Sequence, residues 1–290
     1  MIENRDDNYQ LPEIGEKFID LEKVISSKNP RLLKIIPGFI IRYLKRITHI
    51  DQVNKAIYEN RHKVGIDFAK AILNDFGATI HSVNLELVPK AGRFLIASNH
   101  PLGGPDGMAL ISEVGKVRND ILFPVNDILL YLPNLKPLFI PVNKHGSNSS
   151  NVRLFDQAFA SENMILYFPA GLVSRKQKGI IKDLDWKKTF IAKAKKHQRD
   201  IIPVHIDGYN SDFFYNLANL RKKLGIKANI EMLYLVDEMY KQCDKKITIT
   251  FGKPIPFSTF DKRFSDSEWA GKVKEYVYQL AENPNVSFNY

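Results

Sequence analysis

An α/β fold built on a largely parallel sheet covered by helices follows from three features of this chain. Short apolar runs recur along it, helical patterns separate those runs, and 290 residues suffice to enclose a full core. Composition agrees, with 44% hydrophobic and 26% charged residues, ordinary values for a globular protein.

The chain opens on a polar stretch without an apolar leader, so export is not expected. A poorly ordered arm and a short helix are predicted up to about residue 30. Residues 29–50 read as two helical pieces broken at Pro37-Gly38. There Arg31, Lys34, Arg42, Lys45 and Arg46 interleave with Leu, Ile, Phe and Tyr, the composition of a basic amphipathic helix at a membrane surface. The same pattern fits a helical pair packed on the main body with its cations in solvent. Residues 65–76 read as a further helix with Ile66, Ala69, Ile72 and Leu73 on one face. Beyond about residue 80 the pattern predicts strands at 82–88, 94–97, 121–125, 138–142, 164–168, 201–206 and 247–251. Helices are expected at 108–117, 152–159, 186–196, 213–223 and 267–280. The chain thus divides into a helical N-terminal segment, 1–79, and an α/β domain, 80–290. No run is apolar for long enough to span a membrane.

The net charge of +10 implies attraction to something acidic, such as anionic lipid or a phosphorylated, CoA-type substrate. No nucleic-acid module is recognisable, so nucleic acid is not an expected partner. The single cysteine, Cys243, excludes an internal disulfide framework and a Cys-based zinc site, and no metal is expected.

Four stretches end apolar runs in residues able to do chemistry. In the first, Asn99-His100-Pro101-Leu102-Gly103-Gly104-Pro105-Asp106, an imidazole and a carboxylate flank a tight loop at the carboxyl end of a predicted strand. Ligand sites of open α/β sheets form at that edge. A carboxylate on one imidazole nitrogen fixes the tautomer and stabilises the imidazolium; Asp106 as a simple helix N-cap also fits. The second stretch runs Phe139-Ile140-Pro141-Val142-Asn143-Lys144 and delivers a cation to the sheet edge. The third, Phe168-Pro169-Ala170-Gly171-Leu172-Val173-Ser174-Arg175, combines a glycine that permits close approach with an arginine fork for an oxyanion. The fourth, Ile202-Pro203-Val204-His205-Ile206-Asp207, places a proline inside an apolar run, which suggests an edge strand or a bulge. Alternation puts His205 and Asp207 on one side, as a second dyad or as structural residues.

In this order the four stretches resemble the blocks of the glycerolipid (lysophosphatidic acid acyltransferase-like) acyltransferase family. Asn99, His100 and Asp106 match its first block, with one residue more between His and Asp than usual. Val142-Asn143-Lys144 is similar to the second, Phe168 to Ser174 to the third and Ile202-Pro203-Val204 to the fourth. Ala170 stands where the family has Glu, and Val173 where it has Arg. The form Asn-His-Pro-Leu-Gly-Gly with Phe-Pro-Ala-Gly resembles the bacterial hemolysin-like branch, associated with O-acylation of lyso-aminolipids such as ornithine or glycine lipids.

The resemblance implies transfer of a fatty acyl group from acyl-CoA or acyl carrier protein to a lyso-lipid hydroxyl at the inner face of the cytoplasmic membrane. His100 would be the general base and Asp106 its orienting partner. Asn99, Gly103, Gly104, Lys144, Gly171, Ser174 and Arg175 are the candidate substrate-binding residues. Backbone N–H groups of Gly103 and Gly104 would serve the oxyanion, and Lys144 and Arg175 an anionic acceptor or CoA phosphate. The thioester is a co-substrate, and no bound cofactor is expected. Lysophosphatidic acid as acceptor, and a non-catalytic membrane-binding role, are the rival readings.

Overall fold

The computed structural model describes residues 18–28, 30–142 and 149–290. Helices α1 (Leu21–Lys28), α2 (Pro30–Ile35), α3 (Gly38–Ile47), α4 (Ile50–Glu59) and α5 (Ile66–Asp75) precede the sheet. There follow β1 (Thr79–Val83), β2 (Phe94–Ser98), α6 (Gly104–Val114), β3 (Ile121–Val125), β4 (Phe139–Pro141), α7 (Ser149–Ala160) and β5 (Met164–Tyr167). A small hairpin, β6 (Arg175–Gln177) and β7 (Ile180–Lys182), leads to α8 (Thr189–His197), β8 (Asp200–Ile206), α9 (Asp212–Lys223), α10 (Leu235–Tyr240), β9 (Lys246–Phe251) and α11 (Asp266–Gln279).

The sheet order is β1-β9-β8-β2-β5-β3-β4. Its neighbours run parallel except for the β8–β9 pair. Alternation along the buried strands splits the core into two layers. Ile96, Leu166 and Ile202 face α5 and α6, with Ile72 and Leu110 among their neighbours. Leu95, Ile165 and Ile201 face α7, α8 and α11, against Phe159, Phe190 and Trp269. Ile57 of α4 and Phe68 of α5 lie in the first of these layers, so the helices before residue 79 share the core of the sheet. No helix among the described residues is long and apolar enough to cross a membrane.

The first strand and the start of α6 differ from the sequence expectation, and the Pro203 strand meets a bulge, the second of the two settings expected for it. The first strand occupies 79–83 because Asn84, in the left-handed region at φ 60°, ends it and a 3-10 turn takes Leu85–Leu87. Pro203 lies in an interior strand, not an edge. Its missing donor is tolerated because the partner chain bulges there: Val204 pairs with Phe251 and Ile201 with Ile255, three steps on one side against four on the other. Gly252, in that bulge, leaves the room that Pro203 occupies, since a Cβ would lie 2.9 Å from the proline ring.

Arg199 shows what sequence periodicity does not reveal. Wholly buried, it donates to the carbonyl oxygens of Phe159 at 2.7 Å, Asn163 at 2.7 Å and Phe94 at 3.2 Å. It also reaches Ala158 O at 3.3 Å, so it satisfies the C-terminal carbonyls of α7 while tying them to β2.

Candidate active site

Strands β8, β2 and β5 are adjacent and parallel, and their carboxyl ends form one edge. His100 follows β2 there, and Phe168 follows β5. The imidazole stacks on the Phe168 ring at 4.0 Å between centroids, with 14° between planes. Its Nδ1 lies 2.9 Å from Asp106 Oδ2, so the five-residue loop does close the His–Asp contact.

The loop closes because α6 begins at Gly104, four residues before the expected 108. Gly103 adopts φ 96°, where a side chain would be strained, and Asp106 falls in the first helical turn. From there its Oδ2 accepts the N–H groups of Leu102 at 2.8 Å and Gly103 at 2.9 Å. Asp106 is therefore not the N-cap residue itself but a carboxylate reaching back to that turn, stabilised by the positive end of α6. It is fully buried, and its Oδ1 has no hydrogen-bond partner, so its hydrogen bonding converges on Oδ2. Among the described residues none hydrogen-bonds His100 Nε2.

The remaining candidates divide. Asn99 is buried and clamps two strands: Oδ1 accepts Ile206 N–H at 2.7 Å and Nδ2 donates to Ile206 O at 2.8 Å. Both ends of its amide are thus taken up by the β8 backbone. Gly103 is corrected as an oxyanion donor, because its N–H is spent on Asp106. Gly104 opens α6 and is exposed. Ser174 is buried, donating from Oγ to Asp183 Oδ1 at 2.6 Å and from its N–H to His100 O at 2.8 Å. Lys144 lies outside the described residues.

Arg175 is the clearest correction. Its guanidinium is buried, donates to Glu231 Oε1 at 2.9 Å and to Val173 O at 2.7 Å, and stands over the Phe214 ring. Glu231 is itself fully buried and takes a second arginine, Arg221, at 2.7 Å. Burial works against ionisation of both partners. The Glu231 carboxyl nonetheless stays below its usual range because Arg221 and Arg175 flank it. A cation consumed this way joins the third block to α9 and the turn before α10; it is not offered to a substrate anion.

An open cleft of about 720 Å³ borders this edge, lined by Ala170, Gly171, Leu172, Asp183, Lys187 and Lys274 among others. Gly171 is on the cleft wall, at φ 66°, and a Cβ there would lie 3.3 Å from Lys187 Nζ. Lys187 and Lys274 were not singled out by motif, since each lies in a polar stretch that reads as solvated surface.

Asp183 is the other residue the sequence does not disclose. Its Oδ1 accepts His100 N–H at 3.2 Å and Ser174 Oγ–H, and its Oδ2 accepts Trp186 Nε1–H at 2.9 Å. Burial pushes its carboxyl up, against the pull of Ser174, Trp186 and the nearby His100. Asp183→Asn replaces one acceptor with a donor facing a donor. It should cost about 1–3 kcal/mol of stability in denaturant unfolding. An unchanged midpoint would show that these bonds do not hold the loop.

His205 and Asp207 form no second dyad. No hydrogen bond joins them; His205 is buried edge-on to Tyr278, with centroids 5.7 Å apart. Burial pushes its imidazole down to about 4, with Lys182 adding to the effect and Asp207 opposing it. The native state thus holds His205 neutral where the unfolded chain, at about 6.5, already protonates. The stability this confers is complete above about pH 6.5 and is lost as pH falls toward 4, up to about 3 kcal/mol. His205→Gln should flatten that part of a stability–pH curve; an unaltered curve would assign the acid sensitivity elsewhere.

Comparison with known proteins follows this geometry. A family model described as Acyltransferase matches residues 23–285. A lyso-glycine lipid O-acyltransferase of Bacteroides thetaiotaomicron is 47% identical over 265 residues, 91% of this chain and 97% of that protein. One of Phocaeicola vulgatus is 49% identical, covering 91% and 95%. A solved 1-acyl-sn-glycerophosphate (LPA) acyltransferase, PlsC, from Thermotoga maritima has a TM-score of 0.48 and 14% identity, covering 82% of this chain and 95% of that one. By the extent of the family match and the identity with two relatives over nine-tenths of its length, the chain belongs to the acyltransferase family.

Proposed function

We propose that this protein transfers a fatty acyl group from acyl-CoA or acyl carrier protein to the hydroxyl of a lyso-aminolipid, with a lyso-glycine lipid as the preferred acceptor. The observation that carries the chemistry is the 2.9 Å contact between His100 Nδ1 and Asp106 Oδ2 at the carboxyl edge of the sheet. With Nδ1–H donated to Asp106, the neutral imidazole presents the Nε2 lone pair. Nε2 takes the proton of the acceptor hydroxyl as its oxygen attacks the thioester carbonyl. Buried Asp106 stabilises the imidazolium so formed. Collapse of the tetrahedral intermediate breaks the C–S bond, and the imidazolium returns the proton to the departing thiolate. Gly104, at the positive start of α6, serves the developing oxyanion.

The relatives' acceptor supports a lyso-glycine lipid over lysophosphatidic acid, as does the burial of Arg175, the residue that would have to hold a glycerol phosphate. Lys187 and Lys274, which line the cleft, are the cations we assign to the anionic group of acceptor or donor. The enzyme acts at the inner face of the cytoplasmic membrane, held there by its basic N-terminal helices.

The test is acyl transfer from acyl-CoA and from acyl carrier protein to lyso-glycine lipid, lyso-ornithine lipid and lysophosphatidic acid. The glycine lipid should have the highest kcat/KM. A preference for lysophosphatidic acid would replace this reading with the glycerophosphate one, and transfer to none of the three would overturn both.

A further inference from the structure

We propose that α9 and the turn before α10 form a second membrane-contacting element, continuous with α2–α3, which sets the His100 loop toward an anionic bilayer. The proposal rests on the lipid-acylation reading only for its purpose; the surface itself is an observation of this structure.

Helix α9 has two unlike faces. Phe214, Tyr215 and Ala218 are buried, whereas Phe213, Leu220 and Leu224 project from the opposite side. Residues seven and eleven apart return to within about 20° of the same direction on an α-helix, so these three make one apolar stripe. Leu220 is 53% and Leu224 65% exposed, so the stripe faces outward from the core. Leu233, in the neighbouring turn, is exposed as well. Lys223, about 60° round from Leu220, borders the stripe and is exposed, and the exposed Lys227 follows just past its end.

The same composition recurs on α2–α3. Ile35 is 76% and Phe39 64% exposed, and Lys34, Arg42 and Arg46 lie beside them. The two surfaces join through side chains. Tyr43 and Tyr234 share a hydrogen bond between their hydroxyls at 2.5 Å, and Tyr234 packs edge-on to Phe213, 5.0 Å between centroids. His49, after α3, meets Asp237 of α10 at 2.9 Å and stacks on Tyr240.

This platform is attached to the catalytic loop. Asn210, just before α9, donates from Nδ2 to Pro101 O at 3.1 Å, and Leu235 packs where a Cβ on Gly103 would be, 3.4 Å away. The Arg175–Glu231–Arg221 cluster fixes the same elements to the third block. An apolar stripe with cations at its margin, on a protein of net charge +10, is complementary to an anionic bilayer, with acyl chains meeting the leucines and headgroups the lysines.

The test measures binding of the full-length protein to vesicles of phosphatidylcholine alone or mixed with phosphatidylglycerol, with acyl transfer measured separately in detergent micelles. The Leu220→Gln/Leu224→Gln variant should bind mixed vesicles roughly tenfold more weakly, with unaltered thermal unfolding and unaltered transfer in micelles. Lys223→Gln/Lys227→Gln should weaken binding about fivefold per lysine on mixed vesicles and not on neutral ones. Wild-type binding by the leucine variant would overturn the proposal. So would a dimer that this variant dissolves, since a second copy would then cover the face. Vesicle binding without acyl transfer would leave the surface standing and remove the proposed function; transfer in micelles without vesicle binding would do the reverse.

Discussion

Replacing His100 with alanine should lower acyl transfer by about 10²–10⁴-fold and leave the fold intact. The expectation follows from where the ring sits. It is partly exposed, stacks on Phe168 and is tied to Asp106, while the loop's backbone is held by other groups: Ser174 N–H on His100 O, Asp183 on His100 N–H, Asn210 on Pro101 O. Removing the imidazole thus removes the base without removing the loop. Asp106→Asn should cost a comparable factor by a different route. An amide oxygen in the place of Oδ2 can still accept the Leu102 and Gly103 N–H groups and the Nδ1 hydrogen, but a neutral amide gives the imidazolium formed in the reaction far less support than the buried carboxylate does. Steady-state rates with an acyl-CoA donor and a lyso-glycine lipid, alongside thermal unfolding, check both. Near wild-type transfer by folded His100→Ala would place the base elsewhere.

Glu231→Ala should destabilise the protein by about 3–5 kcal/mol, read from the midpoint and slope of denaturant unfolding. The substitution leaves the buried Arg175 guanidinium with no anion, and with Val173 O, Ser174 O, Met232 Sδ and the Phe214 ring around it. Arg175→Met is milder, because Glu231 keeps Arg221. If Arg175 is structural, its loss lowers stability and leaves the acceptor KM unchanged below the melting range. A stable Arg175→Met enzyme whose acceptor KM rises many-fold would restore it as a substrate ligand.

The sequence disclosed the strands that carry the site because buried parallel strands are continuous apolar runs, and 94–97, 164–168 and 201–206 are such runs. It placed His100 and Asp106 at the ends of one loop. It misjudged where α6 starts, because Gly103-Gly104-Pro105 reads as a turn and only the back-reach of Asp106 makes it a helix start. The first strand ends earlier than its apolar pattern suggests, because Leu85, Leu87 and Val88 look the same in a strand or a 3-10 turn.

Arg175 and Asp183 mark the boundary between the two kinds of information. Local sequence gave Arg175 the look of an anion ligand; its partner Glu231 lies 56 positions away and is found only by folding. Asp183 joins Ser174 and Trp186, close by in sequence, to the His100 N–H, 83 positions away and brought there only by folding. The sequence by itself determined the sheet, the loop and the chemistry its His–Asp pair can perform, since periodicity and turn composition act over a few neighbours. Tertiary structure alone decided which polar groups are free for a ligand and which are consumed. That depends on burial, and a buried charge must find its partner wherever the fold brings one.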